Sequence, residues 1–173
     1  MRRRKPPLEL EVRRKVYQTI SDSPGLHFRE LKRRTGLVIG ALQYHLDYLK
    51  KEGLVSEEKD RDYSRFYPKD LEDGQKEVLS FLRQESIRRL LLFLLEHPKS
   101  KHKKIVSKLA LSPSTISWQL KRLTEKGILI KTTKGRESKF EVKEPGQVVK
   151  LLITYKKSFL DKLVDSFIAS WEK

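Results

Sequence analysis

Residues 37–55, LVIGALQYHLDYLKKEGLV, return 74 positions later as LSPSTISWQLKRLTEKGIL, residues 111–129, with no gap. Leu37/Leu111, Leu46/Leu120, Leu49/Leu123 and Gly53/Gly127 are identical pairs. Leu42/Ile116, Leu54/Ile128 and Val55/Leu129 stay apolar, and Tyr44/Trp118 pairs two aromatic rings. The same shift matches Pro24 with Pro98 upstream, and Ser64/Ser138 and Phe66/Phe140 downstream. A register kept from Pro24 to Phe66 goes beyond one chance helix match. The chain carries two copies of one supersecondary unit, and any fold must accommodate both.

The spacing within each copy predicts three helices and a hairpin. In the first, Leu10, Val12, Val16, Tyr17 and Ile20 form a helical stripe that stops at Ser23-Pro24-Gly25. Phe28 and Leu31 mark a short second helix ended by Gly36. Leu42, Leu46 and Leu49 are spaced as one buried helix face, and Gly53 stands where a helix terminates. Strands are expected at 54–58 and 65–68, around the charged tip KDRDYS. The second copy repeats this with helices at 87–95 and 102–110. Ser112 supplies an N-cap and Pro113 the first helical residue. Ile116, Leu120 and Leu123 form the buried face, and strands at 128–132 and 138–142 flank TKGRE, where Gly135 can turn the chain. Pro98 to Lys101 reads as a short turn.

Four regions follow: a first unit with a basic arm at 1–70, a connecting helix at 71–85, a second unit at 86–144, and a tail at 145–173. Val78, Leu79, Phe81 and Leu82 make the connector helical and allow it to run into Ile87 and beyond. The tail holds Val148, Leu152, Phe159, Leu163, Phe167 and Trp171 in an apolar arc too wide for an isolated surface helix. It is expected to brace the units or to join two copies of the chain as a homodimer. The expected fold class is mostly α with small β-hairpin wings (α+β): a tandem winged helix-turn-helix plus a C-terminal helix.

Charge narrows the partner. The chain has 39 Lys and Arg against 23 Asp and Glu, a formal net charge of +16. The excess is shared: 17 basic and 11 acidic residues up to Asp70, then 22 and 12 after it. A folded, basic chain of this kind suits a polyanion, most simply nucleic acid. With no cysteine, disulfides and thiolate metal sites are excluded. MRRRKPP precedes an amphipathic stretch without an apolar core, unlike a signal peptide, and the longest apolar run, LLLFLL at 90–95, is too short to span a membrane. A cytoplasmic protein is expected, with no membrane role.

Helix, short turn, helix and charged hairpin fit duplex DNA physically. A helix enters the major groove, the preceding helix braces it, and a basic hairpin reaches phosphate. ALQYHLDYLKKEGLV and STISWQLKRLTEKGIL both resemble the recognition-helix signature of ArsR-like and MarR-like regulators. The two-copy arrangement looks like archaeal transcriptional regulators with two winged helix-turn-helix domains, a resemblance covering Leu8 to Lys143.

The resemblance implies that the exposed side of each recognition helix reads bases. In the second copy it holds Pro113, Ser114, Thr115, Ser117, Trp118, Gln119 and Arg122, groups able to pair with base edges or phosphates. In the first it holds Ile39, Gly40, Ala41, Gln43, Tyr44, His45 and Tyr48, a set less polar at its start. There Gly40 and Ala41 would permit close approach or touch a thymine methyl. Arg61 and Arg65 on one wing, and Lys134, Arg136 and Lys139 on the other, are candidate phosphate contacts, as is the arm Arg2 to Lys5. Lys99, Lys101, His102, Lys103 and Lys104 lie at the start of the second helix of copy two, where positive charge opposes the helix dipole and a phosphate would relieve the conflict.

Neither the four histidines nor the scattered acids form a metal or catalytic constellation, and no P-loop, G-x-G-x-x-G or G-x-S-x-G motif is present. No enzyme and no cofactor are expected. The expected function is a sequence-specific regulator binding double-stranded DNA, with no small-molecule effector legible. Two alternatives share the fold: a protein-assembly module of the transcription machinery, and a non-specific chromatin or repair accessory protein.

Overall fold

In the computed structural model, residues 8, 10–61 and 63–173 are described, and the chain divides into two compact units, Met1–Arg83 and Gln84–Lys173. Each is a winged helix-turn-helix, followed by one helix in the first unit and by three in the second. The first runs α1 (Glu11–Asp22), β1 (Leu26–His27), α2 (Phe28–Thr35), α3 (Ile39–Lys51), β2 (Val55–Asp60), β3 (Tyr63–Pro68) and α4 (Asp73–Leu82). The second runs α5 (Glu85–Glu96), β4 (Ser100–Lys101), α6 (His102–Lys108), α7 (Pro113–Glu125), β5 (Leu129–Lys134) and β6 (Glu137–Val142), then α8 (Pro145–Thr154), α9 (Lys156–Phe159) and α10 (Lys162–Trp171). The 74-residue displacement of the sequence repeat holds for both bounds of α1/α5, β1/β4, α3/α7, β2/β5 and β3/β6.

In the first unit Val16, Ile20, Leu31, Leu42, Leu46 and Leu49 are fully buried, whereas Leu10 and Val12 of the stripe read from helical spacing are exposed and Tyr17 is half-buried. Each such side chain contributes about 1.5–3 kcal/mol by leaving water. Leu26, Val55 and Phe66 close the core from the sheet, whose strand order is β1-β3-β2. The third strand was not legible. β1 is two residues long and pairs Leu26 with Phe66 and His27 with Arg65, too short to show alternation. Its partner in the second unit, Ser100–Lys101, read as a turn; it pairs with Phe140 and Lys139. Gly25 leads into β1 with φ of +89° and donates to the Phe66 carbonyl at 2.8 Å. A Cβ there would lie 3.2 Å from the Tyr67 ring, so both backbone shape and space require glycine.

The connector departs from the expected reading. Residues 73–82 form α4 within the first unit, where the Tyr67 hydroxyl donates to the Lys76 carbonyl at 3.2 Å. α4 does not continue into α5. Gln84 is extended, with φ −88° and ψ 112°, and starts α5 as its N-cap residue. Arg83 Nε donates to the Pro24 carbonyl at 2.9 Å, which fixes the end of the first unit.

The second unit has the same core at Leu90, Leu94, Ile105, Ile116, Leu120, Leu123 and Phe140, plus a second apolar layer. The tail is three helices, not one. α10 packs on α5, α8 and α9, burying Val164, Phe167 and Ile168, while α8 buries Val148, Val149, Leu151 and Leu152. This explains LLLFLL: residues 90–95 are all buried because α5 packs both on β6 and on α10 of the tail. A buried ion pair fixes the tail, Arg88 to Asp161 Oδ2 at 2.7 and 2.8 Å, with Phe159 beneath the guanidinium. Asp161 Oδ1 also caps α10 by accepting from the Leu163 N–H at 2.9 Å.

Candidate nucleic-acid interface

The start of α7 is a cluster of hydroxyls. Ser112, the N-cap residue, accepts from the Thr115 N–H at 3.2 Å, and Pro113 follows at the first helical position. The Ser112 hydroxyl also lies 3.0 Å from that of Ser114 and 2.8 Å from that of Thr115. With Ile116, Leu120 and Leu123 in the core, helical spacing places Ser114, Ser117, Trp118 and Lys121 on the exposed side. Ser117 Oγ lies 2.8 Å from His102 Nε2 of α6, tying the two helices at the exposed surface. The half-buried Arg122 lies over the Trp118 ring, its guanidinium carbon 4.6 Å from the centroid, a cation–π contact. Gln119 must be removed from the expected contacts. It is buried and its amide donates to Ser86 Oγ at 2.8 Å, bracing α7 against α5.

Beside α7, Lys99, Lys101, Lys103, Lys104 and Lys139 surround a shallow depression of about 530 Å3 with Ser100 and Ser107. The wing carries Lys134, Arg136 and Lys139, all exposed. Glu137 interrupts this field. Lys101 Nζ lies 2.7 Å from its carboxylate, and that hydrogen bond holds the Glu137 acid below its ordinary range. Lys99, with φ of +57°, belongs to the same depression.

α3 presents different chemistry. Gly40, Gln43 and Tyr44 are exposed, while Ala41 and Tyr48 are half-buried. Gln43 donates its amide to Asp47 at 2.9 Å, and the Arg13 guanidinium lies 3.5 Å from the centroid of the Tyr48 ring. His45 is buried among Leu42, Leu46 and Leu49 and leaves the candidate set. Burial, then the charge of Arg13, push its imidazole pKa down, favouring the neutral ring. Arg65 also leaves it: 5% exposed, its guanidinium donates to Asp60 and to the Gly25 carbonyl, each at 2.9 Å, locking the wing to β1. Arg61 remains exposed at the wing tip, with φ of +53°. The most exposed part of this helix start is Ile39, at 61% and on the expected reading side, together with Val38 at 71%, which the sequence reading did not include. The equivalence of Val38 with Ser112 and Ile39 with Pro113 was the available signal. The arm Arg2 to Lys5 and Asp62 lie outside the described residues.

Among the described residues no group of three His, Cys, Asp or Glu could hold a metal ion, and no helix is long and apolar enough to cross a membrane. The fold and its helix faces define a tandem winged helix-turn-helix protein. Residues 10–79 match a family model described as an N-terminal HTH domain, and residues 83–130 match one described as winged helix-turn-helix DNA-binding. Both matched models are helix-turn-helix modules. It is also similar to an uncharacterized HTH-type transcriptional regulator of Methanocaldococcus jannaschii, 30% identical over 134 residues. That match covers 78% of this chain and 34% of the relative, so the chain spans about a third of the relative's length. Among solved structures, a chain in the ESCRT-II endosomal trafficking complex aligns at 18% identity and a TM-score of 0.31, covering 79% of this chain and 63% of that one.

Proposed function

We propose that the protein is a transcriptional regulator that binds double-stranded DNA in a sequence-dependent manner, with α7 as the principal reading helix. One observation carries the proposal. The exposed face of α7 joins serine hydroxyls and a guanidinium over an indole to a lysine-lined depression at its flank. Hydroxyl and guanidinium groups discriminate base edges, and lysines on a flanking surface hold phosphate without reading sequence. The contact set comprises Ser114, Thr115, Ser117, Trp118 and Arg122 on α7. Lys101, Lys103 and Lys104 on the flank, and Lys134, Arg136 and Lys139 on the wing, complete it in this unit. The first unit adds Gly40, Ala41, Gln43, Tyr44, Tyr48 and Arg61.

A homodimer through the tail would rest on Ile153, Leu160, Leu163 and Trp171, the large apolar tail residues that remain exposed. Sedimentation of the wild type and of Leu160→Ser/Leu163→Ser tests it. A dimer that dissociates in the variant supports the tail as interface, and a monomer at every concentration removes it.

Fluorescence-anisotropy titration against the protein's own promoter fragment and a scrambled duplex, at low and near-physiological salt, tests the DNA reading. A preference for the promoter that persists as total affinity falls with salt is expected. Equal affinities that collapse together would favour the non-specific accessory protein, and no binding at low salt would favour the protein-assembly module.

A further inference from the structure

We infer that the start of α3, Val38 and Ile39, is a thymine-methyl reader, so that the two units recognise chemically different base edges. The inference rests on the DNA-binding reading above and adds which bases the first unit selects. In a helix-turn-helix the N-terminal residues of the second helix are those that reach base edges. At that point α7 offers Ser112 and Pro113, and α3 offers Val38 and Ile39. Both apolar side chains stand in solvent, at 71% and 61% exposure, on a helix whose own core face is already filled by Leu42, Leu46 and Leu49.

Several polar groups on α3 hold partners within the protein, while Tyr44 stays exposed one turn beyond the apolar start. Gln43 is bonded to Asp47, His45 is buried, and Tyr48 lies under Arg13. Lys50 is drawn to Asp47 at 3.2 Å and to Glu57 at 2.6 Å. Gly40, next along the helix, has open space where a Cβ would stand, so backbone and base can approach closely. The major-groove edges exposed to such a surface differ in one apolar feature, the C5 methyl of thymine. Covering a methyl with a branched aliphatic side chain removes apolar area from water on both sides. At about 0.8 kcal/mol per group, each methyl changes affinity about fourfold.

The test uses the full chain and duplexes differing only in that methyl: alternating dA-dT, and the same duplex with deoxyuridine for every thymidine. The informative variant is Val38→Ser/Ile39→Pro, which gives α3 the helix start of α7. Val38 has φ −70° and ψ 155°, the extended conformation suited to an N-cap residue before proline, so the helix start is preserved. The wild type is expected to bind the thymidine duplex about 4- to 15-fold more tightly than the deoxyuridine duplex, for one or two methyls covered. The variant is expected to lose that preference and keep its affinity for the deoxyuridine duplex. Equal wild-type affinities for the two duplexes, with DNA binding intact, would overturn the methyl-reading inference alone. A preference unchanged in the variant would assign it to another part of the chain. Failure to bind either duplex at low salt would overturn the underlying DNA reading as well.

Discussion

Replacing Lys103 and Lys104 with glutamine separates phosphate contact from base reading. Both lysines are exposed at the start of α6, line the same depression, and form no ion pair among the described residues. If each neutralises one phosphate, each contributes about 0.9 to the slope of log affinity against log salt, so the double variant flattens that slope by about 1.8. Between about 50 and 200 mM salt, a fourfold range, the wild type should lose about 12-fold more affinity than the variant. Glutamine has nearly the helix propensity of lysine, and surface exchanges usually change stability by no more than about 0.5 kcal/mol, so the comparison is not confounded by unfolding. Anisotropy titrations at four salt concentrations give the slope. Lys150→Gln/Lys156→Gln, two exposed tail residues, should leave it unchanged. The ratio of promoter to scrambled affinity should survive in both variants, because phosphate contacts carry no sequence. An unaltered slope in Lys103→Gln/Lys104→Gln would remove α6 from the interface. A lost sequence preference would contradict the division of labour between α6 and α7.

Arg122→Ala and Trp118→Ala should each weaken binding to the preferred duplex by about 1–3 kcal/mol, with little change in melting temperature; unchanged affinity in both would refute the guanidinium over the indole as a reader. Asp161→Ala should destabilise the second unit by about 3–5 kcal/mol because it strands buried Arg88, whereas Asp161→Asn should cost less because it can still cap α10. Urea unfolding followed by tryptophan fluorescence reads this selectively, since Trp118 and Trp171 both belong to the second unit; a cost below about 1 kcal/mol would mean that solvent screens the pair. Acid should loosen the first unit through His27 and His45, whose imidazole pKa values are lowered by burial first, then by the charges of Arg65 and Arg13 respectively. Depressed folded values mean that this stability is present above about pH 6.5 and is lost as pH falls from there toward the folded values. Hydrogen-exchange protection factors in α2 and α3 should therefore fall between pH 7 and 5.5 in the wild type, and a flat profile would contradict the sign.

Helical spacing exposed most of the architecture because the leucines that define each recognition helix have little else to do than fill a core. Leu42, Leu46 and Leu49, and Ile116, Leu120 and Leu123, are buried as spaced. What escaped was set by distant partners. β1 is two residues long and exists because Phe66 accepts it, and the break before α5 is a single extended residue, Gln84, that no apolar spacing announces. The same applies to the candidate interface. Gln119, His45 and Arg65 carry side chains suited to DNA, yet Ser86, the leucine core and the Gly25 carbonyl respectively draw them inward. Burial of a polar side chain depends on a partner elsewhere in the chain, and sequence spacing on one helix cannot name that partner. Val38 escaped for the opposite reason: an apolar residue ahead of a helix is assigned to a core by default, and the fold places it in solvent beside Ile39.

The most direct test of the central claim is selection from a randomised duplex library with the wild type, and in parallel with Ser114→Ala/Arg122→Ala. The wild type should enrich a defined sequence, and the variant should lose or change part of it while still retaining duplex through its lysines. Retention of DNA by the wild type with no enriched sequence would contradict base reading by α7 and leave only non-specific binding.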